Sequence, residues 1–247
     1  MALSEQVNAI SAAFTGGLRR ILANKLVAAY IFGAAAFPDT ENTGDIDFHV
    51  ILSTELTASE RDALEELHRE IARQFPPLGG EMDGHYILLQ DVHRQTPPRS
   101  QMWQRAADTA WALHREHIRA GRYITLHGPN PRDLYPPATW SEIEAALYSE
   151  LDYVEQHLSD YPDYCILNLC RLIYSFETKV VVISKTAAAE WAHKHLPQWQ
   201  AHIGLARKSY AGKATAHDRQ FMLAEVAQFY EFARSRIEEA THRREGE

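Results

Sequence analysis

The chain is poor in cysteine, short of positive charge and without any apolar run long enough to span a bilayer. Each shortage excludes something. Cys165 and Cys170 are the only thiols among 247 residues, too few for a zinc site and ill-spaced for a disulfide within one helix. Both are expected in the core. The net charge of −8 argues against a nucleic-acid backbone as partner and suits a cationic small molecule. The N-terminus has no charged-then-apolar leader. These features predict a cytoplasmic monomer bound to neither membrane nor nucleic acid.

What is present centres on YIFGAAAFPDTENTGDIDFHVIL, residues 30–52. Val27 to Phe32 reads as a buried strand ended by Gly33, and 38–44 as a polar turn. From Asp45 onward, Ile46, Phe48, Val50 and Leu52 alternate with Asp45, Asp47, His49 and Ile51. The first set faces a core, so both aspartates share the other face, with Cα atoms roughly 6.6–7 Å apart. Paired carboxylates repel unless a cation neutralises them, which points to magnesium. Gly33 lets backbone N–H groups approach a phosphate, with Ala34 beside it. His49 and His85 fall on the strand faces of Asp47 and Asp83.

A general base is needed to take the proton of an attacking hydroxyl. The strand Met82 to Leu89 supplies Asp83 and is preceded by Glu81; Asp83 is favoured because it lies inside the strand, with Gly84 leaving room. Helices are expected over Val7 to Leu22 and, after a capping box at Thr57 to Glu60, up to Pro76-Pro77. Thr96-Pro97-Pro98 marks a boundary, beyond which the pattern reads as almost wholly helical. A second capping box at Thr139 to Glu142 opens one helix, and others follow over about 163–178, 184–195, 199–210 and 217–241. The predicted fold is α+β. A nucleotidyltransferase-like domain over 1–97, a small mixed sheet flanked by helices, precedes an all-α bundle over 98–247. His114 and His117 share a helix face, but with no acid in view they read as a solvated surface.

The order of strand, Gly-Ala, Asp-x-Asp strand, helix and acidic strand resembles the minimal core of the DNA polymerase β nucleotidyltransferase superfamily. The helical half is similar to the C-terminal domain of the aminoglycoside 3″/9-adenylyltransferases. The residues carrying that likeness are Arg171 to Ser175, Lys185, Ala188 to Ala192, Leu196-Pro197 and Ala206 to Tyr210. The resemblance implies Mg²⁺ on Asp45 and Asp47, and Asp83 as the catalytic carboxylate. It implies ATP as co-substrate, held at Gly33, Ala34, Arg171, Lys185 and Tyr210 by a helical domain that closes over nucleotide and acceptor. The implied reaction moves AMP to a hydroxyl of a streptomycin- or spectinomycin-like cation and releases pyrophosphate. Trp103, Asp160 and Asp163 are the candidates for holding that acceptor. The chain departs from the family at Ala34 and Gly44, where serines are usual, and at Lys179, where glycine is common. Two alternatives stay open: a different small-molecule or protein hydroxyl as acceptor, and a nucleotide-binding relative without turnover.

Overall fold

The structure is a computed structural model that describes residues 5–38, 44–103 and 107–245. Most of the turn expected over 38–44 therefore lies outside the described residues. The chain divides into two compact units, Met1–Glu142 and Ile143–Glu247.

The first unit begins with α1 (Glu5–Leu22) and β1 (Leu26–Phe32). There follow β2 (Ile46–Leu52), α2 (Ala58–Gln74), β3 (Met82–Leu88) and the single turn α3 (Leu89–Val92). The sheet order is β3-β2-β1 with β4 (Ile124–His127) on the far edge of β1. β1 runs antiparallel to β2 and β4, while β2 and β3 are parallel, joined through α2. The capping box at the head of α2 forms as the sequence requires. The Thr57 N–H donates to Glu60 Oε2 at 2.7 Å, and the Glu60 N–H donates to Thr57 Oγ1 at 3.3 Å.

Alternation along the strands gives the sheet two apolar faces. One packs Ile46, Phe48, Val50 and Leu52 with Phe14 and Leu18 of α1 and Leu64 and Ile71 of α2. The other packs Tyr30, Phe32, Ile51 and Ile87 with Trp111 and Ile118 of α4 (Trp111–Arg119) and with Tyr135. The expected boundary at residues 97 and 98 thus does not coincide with the division at 142 and 143. Segment 98–142 stays with the sheet because β4 pairs with β1 and α4 covers its second face. A short strand of four residues, Ile-Thr-Leu-His, carries too little periodicity to be read from sequence.

α5 (Trp140–Gln156) opens on the second capping box, where Glu142 Oε2 accepts from the Thr139 N–H at 2.8 Å. Glu142 also accepts from Arg115, whose side chain is completely buried. The second unit then adds α6 (Pro162–Thr178), α7 (Lys185–His195), α8 (Gln200–Tyr210) and α9 (Ala216–Glu245). α6 packs against α7, α8 and α9. Its buried stripe includes Cys165, Ile166, Leu169, Cys170, Ile173 and Phe176, and both thiols are free. No helix among the described residues is long and apolar enough to cross a membrane.

Candidate active site

The carboxylates gather where β2 and β3 begin. Parallel register sets Asp47 directly beside Asp83, and His49 beside His85. Residues in register on adjacent strands project to one face, here the face opposite Phe48 and Tyr86. Neighbouring strands lie about 4.8 Å apart, so both carboxylates can reach one small cation. Asp45 is exposed just before β2, next to the Ile46 N–H that donates to Glu81 O at 2.9 Å. Glu81, also exposed, follows the short helical turn Leu78–Gly80, whereas Asp83 is inside the strand. Two glycines make this arrangement possible. A Cβ on Gly84 would stand 2.1 Å from Phe48 O, so only glycine lets the strands approach there.

The second is Gly33, which opens the turn Gly33–Ala36 at the end of β1 with φ +65°. A Cβ there would stand 1.7 Å from Asp47 Oδ2. The carboxylate therefore lies against the turn, whose first N–H groups, those of Gly33 and Ala34, a helical start leaves without intrahelical partners.

On the same sheet face, His49 is fully buried beside the acidic pair. Its ring packs 4.4 Å from Phe32, and its Nδ1 is 3.1 Å from Tyr135 Oη. Asp108, in the turn before α4, accepts from His114 Nδ1 at 2.9 Å through Oδ2 and from the Ala110 N–H at 3.1 Å through Oδ1. Burial, reinforced by His114, drives the His49 pKa well below the usual imidazole value, so the ring is neutral near pH 7. Burial pushes the Asp108 carboxyl up, but the charge and hydrogen bond of His114, with His49 and His85, outweigh it. Asp108 therefore stays well below the ordinary carboxylate range. This corrects the reading of the histidine pair on α4. His117 is buried, and His114 does meet an acid, Asp108, six residues earlier across a turn. His49 and His85 border the acidic site as the strand alternation predicts.

Trp103 is half-buried and packs 5.2 Å from the His68 ring and 6.1 Å from Tyr86. That is the α2 side of the sheet, opposite Asp47 and Asp83. Trp103, expected to hold the acceptor, takes part in this packing at a backbone φ of +48°.

In the second unit, Lys185 is the first residue of α7, after Ser184 caps the helix by accepting from the Ala187 N–H at 3.0 Å. Its Nζ lies 4.3 Å from the centroid of the Tyr164 ring, a cation–π distance. Burial raises the Tyr164 phenol to about 12, against an opposing pull from Arg171. Lys185 thus meets Tyr164, a residue that no sequence signal singles out, and the charge of Arg171 acts on the same phenol. Two acids on α6, the helix of Arg171, have other partners: Glu177 accepts from Arg236, and Asp163 accepts from Ser209. Asp163 is the second residue of α6, two past the cap Tyr161, and Asp160 is exposed with its carbonyl accepting from Arg219 at 2.6 Å. Tyr210 closes α8, half-buried. Lys179 caps α6 in the left-handed region, φ +62°, which explains why glycine is favoured at that position.

Residues 134–236 match the family model for the C-terminal domain of aminoglycoside adenylyltransferase. Over 85% of this chain and 88% of the relative, the sequence is 22% identical to spectinomycin 9-adenylyltransferase of Enterococcus faecalis. The fold is similar to the crystal structure of spectinomycin adenyltransferase AAD(9) from the same organism, solved with ATP and spectinomycin. That likeness has a TM-score of 0.76 at 20% identity and covers 96% of this chain and 100% of that one. The α+β fold is thereby shared with that enzyme. The resemblance to the aminoglycoside adenylyltransferases, drawn from Arg171, Lys185 and Tyr210 and their neighbours, holds along the chain.

Proposed function

We propose that the protein transfers AMP from ATP to a hydroxyl of a small, polyhydroxylated cation of the streptomycin or spectinomycin type, releasing pyrophosphate. The observation that carries this reading is the Asp47–Asp83 pair in register beside the Gly33 turn. The similarity to spectinomycin adenylyltransferases supports the acceptor class.

The residues fit magnesium, because the donors are hard carboxylate oxygens brought to one strand end, and Gly33 leaves the space that Asp47 fills. Asp45 and Asp47 would hold it. Bound there, it supplies charge neutralisation of the triphosphate. Asp83 is assigned to the acceptor hydroxyl, whose proton it takes as that oxygen attacks the α-phosphorus and pyrophosphate leaves. Its place inside β3 favours it over Glu81. The Gly33 and Ala34 N–H groups are assigned to phosphate oxygens, and Arg171 and Lys185 to the triphosphate, where a planar guanidinium and a point charge complement one another. Tyr210 is assigned to the nucleotide. Asp160, with an exposed side chain, remains the candidate for the cationic acceptor; Asp163 is held by Ser209.

The test is mass spectrometry of streptomycin and spectinomycin after incubation with the protein and Mg-ATP, alongside pyrophosphate release. An AMP adduct on either drug is expected. If ATP binds and neither drug gains AMP, the drug-specific reading fails, and pyrophosphate release with other acceptors identifies the true one.

A further inference from the structure

We propose that His49, Asp108 and His114 form a second metal site, for one borderline transition ion of the zinc class, separate from the carboxylates assigned to magnesium. One ligand atom from each residue lies within 4.8 Å of the others. His49 Nε2 is 3.8 Å from Asp108 Oδ2, and His114 Nδ1 is 2.9 Å from the same oxygen. A tetrahedral zinc with bonds of about 2.0–2.1 Å holds its ligand atoms roughly 3.3–3.5 Å apart, between these two separations.

The buried nitrogen supplies the second argument. His49 Nε2 is fully buried and has no hydrogen-bond partner among the described residues, and 3.8 Å to Asp108 is too long for one. Its other nitrogen is taken by Tyr135. If Nδ1 donates to Tyr135 Oη, the Nε2 lone pair faces a carboxylate oxygen. If Tyr135 donates instead, a buried N–H is left unsatisfied. A cation between Nε2 and Oδ2 resolves the first arrangement, in which Tyr135 orients the ligand as outer partners of metal-bound histidines do. Asp108 is oriented likewise, because Oδ1 accepts from the Ala110 N–H, and the ion would take the place of the His114 proton that Oδ2 accepts.

Two imidazoles and one carboxylate suit zinc, cobalt or nickel rather than magnesium, which prefers oxygen donors and water. The His114 side chain is 26% exposed, giving an entry path and an open position for a fourth ligand. The ligands come from β2, the turn before α4, and α4 itself, so the ion would tie those three segments together beneath the acidic pair. Asp108 and His114 lie outside the motifs that carry the adenylyl-transfer reading, and His49 is two residues beyond Asp47 on β2.

The experiment uses the full chain, stripped with chelator and dialysed against zinc or titrated with cobalt(II). Expected are one zinc per chain, cobalt d–d bands in the visible, and a raised melting temperature on loading. His114→Ala and Asp108→Asn should lose all three, and Asp47→Asn should keep them. Should Asp108→Asn fail to fold, His114→Ala at a partly exposed side chain decides, with circular dichroism to check the fold. X-ray absorption of the zinc-loaded wild-type chain should show imidazole scattering. Absence of stoichiometric zinc, binding that survives His114→Ala or is lost in Asp47→Asn, or an all-oxygen zinc environment each overturns the proposal.

Discussion

The Asp47 carboxylate occupies the space that any side chain on Gly33 would need: a Cβ at Gly33 would stand 1.7 Å from Asp47 Oδ2. The glycine also sits at φ +65°, where an L-residue costs about 1–2 kcal/mol. Gly33→Ala is expected to expel Asp47 from its place rather than merely stiffen the turn. Displacing a positioned group by about 1 Å can cost on the order of 100-fold in rate. Calorimetry with Mg-ATP and single-turnover assays should therefore show both binding and turnover falling, while circular dichroism stays native. Wild-type turnover in this variant would refute the placement of Asp47.

Asp83 shares the register of Asp47, whereas Glu81 lies outside the strand. Asp83→Asn is expected to lower kcat by about 100-fold to 10,000-fold, the span typical of general bases, with Mg-ATP affinity changed far less. Glu81→Gln should remain near wild type. Rapid-quench measurement of AMP transfer separates them, and the reverse ranking would move the base to Glu81.

Ala34 offers the phosphates a backbone N–H but no hydroxyl. Ala34→Ser adds a donor to a charged acceptor, an interaction of about 1.5–3 kcal/mol, and should tighten ATP by about tenfold or more. Titration calorimetry reads this directly, and unchanged affinity would show that the turn does not contact the phosphates.

Lys185 packs on Tyr164, whose phenol also feels the charge of Arg171, while Glu177 and Asp163 are engaged with Arg236 and Ser209. If the two cations serve a triphosphate, Arg171→Met should weaken ATP by about tenfold or more, from the loss of a charge-assisted hydrogen bond. The wild-type affinity should fall with added salt more steeply than that of the variant. Equal affinity and equal salt dependence would return Arg171 to a role within the helices.

Arg115 is wholly buried and donates to Glu142, which also receives the Thr139 N–H. Burial opposes ionisation of Glu142, but the Thr139 hydrogen bonds and Arg115 prevail and hold its carboxyl below the ordinary value of 4.5. A carboxyl lowered in the folded state stabilises fully above its unfolded pKa and loses that contribution as pH falls through the folded value. Glu142→Gln should cost about 1–3 kcal/mol at pH 7 in urea unfolding. The gap between wild type and variant should narrow on acidification below about 4.5. A gap that stays constant down to pH 3 would mean the ionised carboxylate is not what holds Arg115.

Local features of this molecule were legible in the residues themselves. Period-two alternation in 46–52 placed Asp47 and His49 on one face, Thr57 and Glu60 capped α2, and the helical stripe of α6 buried both cysteines. Such features depend on neighbours within a few residues, where strand pleat and helical pitch fix which side chains share a face. Contacts closed across long separations depended on the tertiary structure alone. It joined His49 to Asp108 and His114, seated Trp103 under α2, paired β4 with β1, and set Lys185 over Tyr164. No periodicity encodes which distant turn will meet a given strand face, because that choice is made by packing of the whole unit rather than by any one segment.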